Sequence, residues 1–272
     1  MTKCHPLVAG LLLLLLVSCK SGNQGPSLAE YAARSVAVQT AHFEQFAKTL
    51  SEVSPEQARH MQDSVLAAAA GDSAAWRRLI EMEESFFLDP NSPWRDEEIY
   101  LPVVEELLRS PYARQGERDR AQWMQPRLML NRPGSPASDI DFTTPKGRKT
   151  SLYATIDARK PRRTLLFFSN PGCPNCKEIT ESLGCDLYVQ KAISEGTLLV
   201  VNIYPDQDLQ SWIDYLPNYP AEWVCGCDPD QVLNSDTRYW LRAIPSLYLL
   251  DEEKRVILKD APLEKIQSEL RK

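Results

Sequence analysis

The chain has 272 residues, of which 43% are hydrophobic and 25% are charged. These proportions suit a globular protein and exclude disorder and collagen-like repeats. The formal net charge is -6, and no basic stripe with interleaved aromatic residues is present, so nucleic acid is not an expected partner. Seven cysteines are few for a disulfide-built miniprotein, yet their spacing is not random, so we expect cysteine chemistry to decide the function.

The first 18 residues have the organisation of a secretory signal. Lys3 precedes a short apolar run from Leu7 to Val17, which is too short to span a bilayer as a helix. The residues Leu-Val-Ser-Cys that end at Cys19 resemble the lipobox of bacterial lipoproteins, in which the cysteine is acylated and becomes the first residue. We therefore predict a lipid anchor on Cys19, a tether over 19–26 and a periplasm-facing location, where cysteine pairs can exist as disulfides. Ordinary signal cleavage or a short buried helix is the alternative.

Residues 27–131 are predicted to form an all-α domain. A capping-box pattern at Ser27 and Glu30 starts the first helix, and Ser54 followed by proline starts the next, which ends at Gly71. The block contains no catalytic constellation. Its histidines lie on predicted helices without a second type of metal ligand nearby, which favours surface or packing roles. Further helices are predicted over 72–88 and from Ile99 to Leu108, and the two histidines are His42 and His60.

Residues 132–138 contain two prolines and a glycine and are predicted to link this block to a second domain over 139–272. In that domain, continuous apolar runs over 164–169 and 198–204 predict strands that are buried on both faces of a sheet. Helical segments alternate with these strands, which indicates an α/β or α+β sandwich. The other predicted elements are helices over 177–183, 187–194, 209–215, 236–242 and 262–271, and a hairpin over 246–250 and 256–259.

Cys173 and Cys176 form a Cys-x-x-Cys motif that follows the first of these strands and opens a helix. Unpaired N–H groups and the macrodipole at a helix start stabilise a thiolate, so Cys173 is expected to have a lowered pKa and to attack a substrate disulfide. Cys176 lies one turn further on, where it can resolve the mixed disulfide. An inert disulfide and half of a zinc site, completed by Cys225 and Cys227, are the alternatives. We expect no metal and no bound cofactor besides the redox-active pair.

The strand, the Cys-x-x-Cys helix start and the Ile244-Pro245 pair before the hairpin together resemble the thioredoxin fold. Residues 141–152 and 247–251 are similar to TlpA/ResA-like extracytoplasmic thiol-disulfide oxidoreductases, and the helical block is similar to a domain of unassigned function that precedes thioredoxin modules in some Gram-negative lipoproteins. The resemblance implies an α/β thioredoxin-like sandwich, with a central mixed sheet flanked by helices, behind an all-α domain. It also implies a cis-proline at Pro245, a substrate groove at Ile244 and Pro245, protein thiol or disulfide substrates, and reduction fed by a membrane thiol relay.

Three residues depart from the pattern of that family, one of them Gly172, which replaces the tryptophan common before the first cysteine. Phe167 stands six residues before Cys173, where thioredoxins keep a buried Asp, and Ile179 stands where ResA-like proteins carry a Glu. Glu178 and Glu181 lie nearby in sequence, so the general base stays open. The departures favour a rival function, in which a lipid-anchored binding protein uses the thioredoxin module as an inert scaffold.

The remaining cysteines allow several interpretations. Without Cys4 and Cys19, five of the seven cysteines remain, so at least one thiol is free or pairs with another molecule. Cys225 and Cys227 form an accessory redox pair in one interpretation, and one of them bonds to Cys185 in another. The interpretation that we favour for Cys185 is a small buried hydrophobic side chain.

Overall fold

The structure is a computed structural model that describes residues 36–235 and 238–272. The described residues divide into two compact units, the first ending at Gln125 and the second running from Pro126 to Lys272. The predicted signal, the lipidation at Cys19, the tether and the start of the first helix lie outside the described residues, and the predicted domain boundaries stay predictions. None of the helices in the described ranges has the length and apolar character needed to cross a bilayer.

The first unit is helical, as the sequence predicts. Its second helix begins with a complete capping box, in which Ser54 Oγ accepts from the Gln57 amide (3.3 Å) and Gln57 Oε1 accepts from the Ser54 amide (3.2 Å). Asp72 and Asp96 cap the next two helices through their carboxylates, and the core includes the fully buried Trp76. The helices are α1 (Val36–Glu52), α2 (Pro55–Ala69), α3 (Ser73–Glu83) with a π-helical turn over Glu84–Leu88, α4 (Glu97–Arg109) and α5 (Gln115–Leu128), whose last residues from Pro126 onwards belong to the second unit.

One carboxyl group is buried inside this helical unit. Glu83 is fully buried, and its Oε2 accepts a hydrogen bond from Gln62 Nε2 at 2.7 Å. Burial raises the pKa of Glu83 from its ordinary value of 4.5 to about 8, and the hydrogen bond from Gln62 opposes this rise only in part. The side chain is therefore mostly protonated at neutral pH.

The second unit is built on a seven-stranded mixed sheet. The strands are β1 (Asp141–Thr143), β2 (Lys149–Ser151), β3 (Arg163–Phe168), β4 (Leu198–Tyr204), β5 (Val224–Cys227), β6 (Ser246–Leu250) and β7 (Val256–Leu258). They lie in the order β2-β1-β5-β4-β3-β6-β7, with β3, β4 and β5 parallel and the other pairs antiparallel. The helices are α6 (Leu152–Arg159), α7 (Pro174–Cys185), α8 (Leu187–Ser194), α9 (Leu209–Tyr215) and α10 (Leu263–Leu270). The predicted sandwich of a mixed sheet and helices is confirmed.

The two faces of this sheet form separate parts of the core. Leu166 and Phe168 of β3 belong to a buried cluster that includes Ile156 of α6. Phe167 points to the opposite face and belongs to a second cluster, which includes Cys176 of α7. The alternation of side chains along a strand thus places the predicted redox helix over the face that carries Phe167.

The helix predicted over 236–242 is wrong, because the residues described there, from Arg238 onwards, form no helix. Tyr239 and Trp240 are both buried, and the ring of Tyr239 packs against that of Phe168 with centroids 5.2 Å apart. Tertiary packing of these two large side chains outweighs the local helical pattern.

Candidate redox site

Cys173 is the N-cap residue of α7. The chain reaches it from β3 through a turn in which Gly172 has φ +80°, a conformation that favours glycine. The backbone of Cys173 is extended, and its Sγ accepts a hydrogen bond from the Cys176 amide at 3.2 Å. Pro174 occupies the first helical position, where a missing N–H costs nothing. The first sulfur of the motif therefore receives a backbone donor at the positive end of the helix dipole.

The two cysteines of the motif are joined as a disulfide, with their Cα atoms 5.3 Å apart. Cys173 is partly exposed, whereas Cys176 is only 3% exposed and belongs to the cluster beneath α7. The residue that the sequence predicts to attack is thus the more accessible of the two, and the residue predicted to resolve is the buried one.

The predicted groove residues lie beside the first sulfur. The Ile244–Pro245 peptide bond is cis, as the resemblance to thioredoxins implies. The Ile244 carbonyl oxygen lies 3.8 Å from Cys173 Sγ, and β6 begins directly after Pro245. The antiparallel pairing of β3 and β6 therefore brings residues that are 71 positions apart to the same end of these two strands.

No carboxylate occupies the position of the thioredoxin Asp. Phe167 is fully buried there, and its ring packs edge-on against that of Trp223 with centroids 6.2 Å apart. Glu178 and Glu181 are exposed on α7, and Glu181 pairs with Lys177 at 3.8 Å. Neither acid of α7 therefore serves as a buried base beneath the pair.

Neutral polar side chains lie near Phe167 instead. Asn202 of β4 is in register with Phe167, and its Nδ2 donates to Ser169 Oγ at 2.6 Å. Ser169 Oγ also lies 2.9 Å from the Tyr219 hydroxyl, and burial raises the pKa of Tyr219 to about 12. All three groups are uncharged at neutral pH. The sequence analysis missed this network because its members come from three separate segments.

Cys225 and Cys227 lie on one face of β5 and pack in a small cluster with Trp212. Both thiols are free. Burial raises the pKa of Cys225 to about 12 and raises that of Cys227, to which the Asp228 charge contributes as well. A protonated thiol is a poor nucleophile, so the accessory redox role, which stays a prediction, is not supported by this environment.

Cys185 ends α7, and its thiol is free and exposed. The prediction that Cys185 is a buried hydrophobic side chain is wrong, because the last turn of α7 turns this position toward solvent. Within the described residues no group of three His, Cys, Asp or Glu side chains is placed to hold a metal ion. The zinc alternative therefore receives no support from the part of the chain that is described.

Both units have counterparts among known proteins. Residues 30–130 match the model of a domain of unknown function, DUF5106. A crystal structure of a thioredoxin-like protein from Bacteroides caccae ATCC 43185 is 30% identical to this chain, with a TM-score of 0.80, and the match covers 90% of this chain and 87% of that one. No curated protein matches the chain.

Two further structures match about half of this chain. The C-terminal domain of an uncharacterized protein from Bacteroides fragilis NCTC 9343 is 38% identical, with a TM-score of 0.49, over 52% of this chain and 99% of that one. A thiol-disulfide oxidoreductase from the same organism is 20% identical, with a TM-score of 0.44, over 50% of this chain and 98% of that one. The predicted resemblance to thioredoxin-fold proteins, with a domain of unassigned function ahead of the fold, is confirmed. The chain belongs to the thioredoxin-like proteins, with a DUF5106 region ahead of its thioredoxin fold.

Proposed function

We propose that this protein is a thiol-disulfide oxidoreductase that exchanges disulfides with protein substrates through Cys173 and Cys176. The observation that carries the proposal is the position of Cys173 Sγ. Cys173 is partly exposed, and its sulfur accepts a hydrogen bond from the Cys176 amide at the start of α7 and lies 3.8 Å from the Ile244 carbonyl oxygen beside a cis-proline. The cysteine pair is the redox group, and the proposal needs no other cofactor.

Reduction of a substrate begins with the reduced pair. The Cys173 thiolate attacks one sulfur of the substrate disulfide, so a Cys173–substrate bond forms and the other substrate sulfur leaves as a thiolate. Cys176 then loses its proton and attacks Cys173 Sγ, which closes the Cys173–Cys176 disulfide and releases the second substrate sulfur. Two electrons pass from the pair to the substrate, and the two substrate thiolates take up protons. The amide of Cys176 stabilises the negative charge on Cys173 before attack.

The proton of Cys176 needs an acceptor other than the carboxylate of thioredoxins. Phe167 occupies that place, and the neighbouring Asn202, Ser169 and Tyr219 are neutral. The departing substrate thiolate is the base that the reaction itself supplies. We therefore expect resolution by Cys176 to be slower than attack by Cys173.

The direction and the location of the reaction belong to the same proposal. A lipobox-like sequence at Cys19 supports a lipid anchor and a periplasm-facing position, where cysteine pairs are not kept reduced by glutathione. The resemblance to TlpA/ResA-like proteins supports reduction of protein disulfides, with electrons that come from a membrane thiol relay.

An inert binding scaffold is the second candidate function, and the presence of Phe167 in place of an acid favours it. The two functions differ in turnover of insulin disulfides with dithiothreitol as the reductant. We expect the wild-type protein to reduce insulin and the Cys173→Ser variant to lose this activity. The matched control is Cys185→Ser, which removes an exposed free thiol from the same unit and keeps the activity. Equal activity of Cys173→Ser and the wild type would show that the proposal is wrong.

A further inference from the structure

The carboxylate of Asp260 accepts hydrogen bonds from residues on both sides of the cis-proline. Asp260, in the loop between β7 and α10, accepts a hydrogen bond through Oδ2 from Arg242 Nη2 at 2.8 Å. Its other oxygen, Oδ1, accepts from Ser246 Oγ at 2.7 Å. Arg242 precedes the Ile244–Pro245 peptide bond and Ser246 follows it directly. Asp260 therefore fixes the two ends of the segment that carries the substrate groove.

These bonds are shielded from water. The side chains of Arg242 and Asp260 are 7% and 6% exposed, and Ser246 is 1% exposed. The Arg242 guanidinium also lies 5.6 Å from the centroid of the Trp240 ring. Hydrogen bonds between charged groups are stronger than neutral ones, and loss of one partner leaves a buried charge without compensation. The segment from Arg242 to Ser246 is therefore held in one position.

The backbone and side chains around Asp260 are anchored as well. The Ala261 amide donates to the Leu247 carbonyl oxygen at 3.0 Å. Lys259 is 8% exposed, and its Nζ donates to the Leu128 carbonyl oxygen at 2.8 Å. Because its neighbours on both sides are tied to other segments of the unit, Asp260 forms a rigid support for the cis-proline segment rather than following its motions.

We propose that Asp260 is a positioning residue that sets where the Ile244 carbonyl lies relative to Cys173 Sγ, and so how an extended segment of the substrate docks. The inference rests on the proposed function. A shift of Ile244 by loss of this support changes the docking geometry of a protein disulfide. The hydrogen bonds of Asp260 to Arg242 and Ser246 do not involve the start of α7, which supplies the Cys176 amide to Cys173 Sγ. Loss of these bonds should therefore affect substrate docking more than thiol reactivity.

The test uses the full chain with Asp260→Asn and Ser246→Ala, and measures KM and kcat for insulin reduction. Asp260→Asn keeps the shape of the side chain and removes its charge, and we expect KM to rise by about tenfold, since small misplacements in docking are costly. Ser246→Ala removes one hydrogen bond, and we expect a rise of roughly threefold in KM. The rate of Cys173 alkylation should change by a smaller factor than KM in both variants, because the Cys176 amide still donates to Cys173 Sγ.

The matched control is Asp186→Asn. Asp186 is another carboxylate that is 9% exposed and bonded to an arginine, Arg271, but it lies at the far end of α7 from Cys173. We expect its KM to equal that of the wild type.

Two results would overturn the inference. One is an unchanged KM in Ser246→Ala together with an unchanged KM in folded Asp260→Asn, and if Asp260→Asn does not fold, Ser246→Ala decides alone. The other is a change in the rate of Cys173 alkylation by as large a factor as the change in KM, because the effect would then act through the thiol. Failure of the proposed function is a separate outcome, since the wild-type protein would then reduce no insulin.

Discussion

Cys173 and Cys176 stand at the start of α7, whereas Cys225 and Cys227 stand within β5 of the same unit. At the helix start, the Cys176 amide is free of an intrahelical partner and donates to Cys173 Sγ. In the strand, Cys225 is in register with Asn202 of β4, and the backbone amides of paired strands form the hydrogen bonds between those strands. The two cysteine pairs, one Cys-x-x-Cys and one Cys-x-Cys, therefore meet different environments.

The second difference between the pairs is their bonding and desolvation. Cys173 and Cys225 are both partly exposed, but Cys173 is bonded to Cys176 and lies beside the Ile244 carbonyl oxygen, whereas Cys225 is a free thiol whose pKa is raised by burial to about 12. Reactivity of a thiol follows its thiolate fraction and its exposure. The comparison teaches that the element which carries a cysteine pair determines its chemistry, and four experiments can break or sharpen this conclusion.

The largest expected contrast is between Cys176→Ser and Cys227→Ser. Without Cys176 the mixed disulfide cannot be resolved, so insulin turnover should fall by roughly 10³-fold or more and disulfide-linked adducts with the substrate should accumulate on non-reducing gels. Cys227→Ser should keep turnover within about twofold of the wild type, because its thiol does not take part. If disulfide-linked adducts with the substrate also accumulated in Cys227→Ser, we would infer a redox role for Cys225 and Cys227.

The next contrast is in alkylation of the free thiols by iodoacetamide, measured for each cysteine by mass spectrometry. With a pKa of about 12, Cys225 is a thiolate in only about one molecule in 10⁴ at pH 8. We expect it to react at least about 100-fold more slowly than the exposed Cys185, and its rate to rise about tenfold per pH unit while the fold holds. Similar rates for the two thiols would contradict the burial argument.

The third contrast concerns the glycine between the strand cysteines. A Cβ atom at Gly226 would lie 2.2 Å from Cδ2 of Phe142. Gly226→Ala should therefore lower the free energy of unfolding by about 2–3 kcal/mol in denaturant titrations. The control is Gly184→Ala in α7, whose Cβ would meet Pro220 at an ordinary 3.6 Å and which gains helix propensity. Equal stability of the two variants would mean that β5 is not packed as tightly as described.

The smallest expected effect comes from the neutral network between the two pairs. Ser169→Ala removes the hydrogen-bond partner that Asn202 and Tyr219 share, so we expect a loss of about 1–2 kcal/mol in the free energy of unfolding. Ser194→Ala is the control, since its exposed hydroxyl donates only to a backbone carbonyl. Turnover should not change in either variant. A large loss of turnover in Ser169→Ala would instead make the network part of the redox step.

The elements that could be predicted are those with strong local signals. The apolar runs of β3 and β4, the capping pattern at Ser54 and the Cys-x-x-Cys helix start all appear where the sequence indicates them. The hairpin of β6 and β7 follows for the same reason. In each case the periodicity or the turn chemistry of a short segment determines its structure.

What could not be predicted depends on contacts between distant segments. β5 contains Gly226 and two cysteines, which carry little strand propensity, and it is specified by pairing with β4 and by packing on Phe142. The bonds of Asp260 to Arg242 and Ser246 join residues up to 18 positions apart. The exposure of Cys185 likewise depends on which face of α7 meets the sheet. No local pattern in the sequence predicts the pairing of β5, the hydrogen bonds of Asp260 or the exposure of Cys185.

The buried carboxyl of Glu83 makes the stability of the helical unit depend on pH. Its pKa is about 8 in the folded chain against an ordinary 4.5, so between these values the folded state binds the proton and the unfolded state has released it. The free energy of unfolding of this unit therefore declines as the medium becomes less acidic, and it levels off in alkaline solution, where both states are ionised. The side chain in a Glu83→Gln variant does not titrate. The contribution of this position to the free energy of unfolding should therefore no longer change with pH.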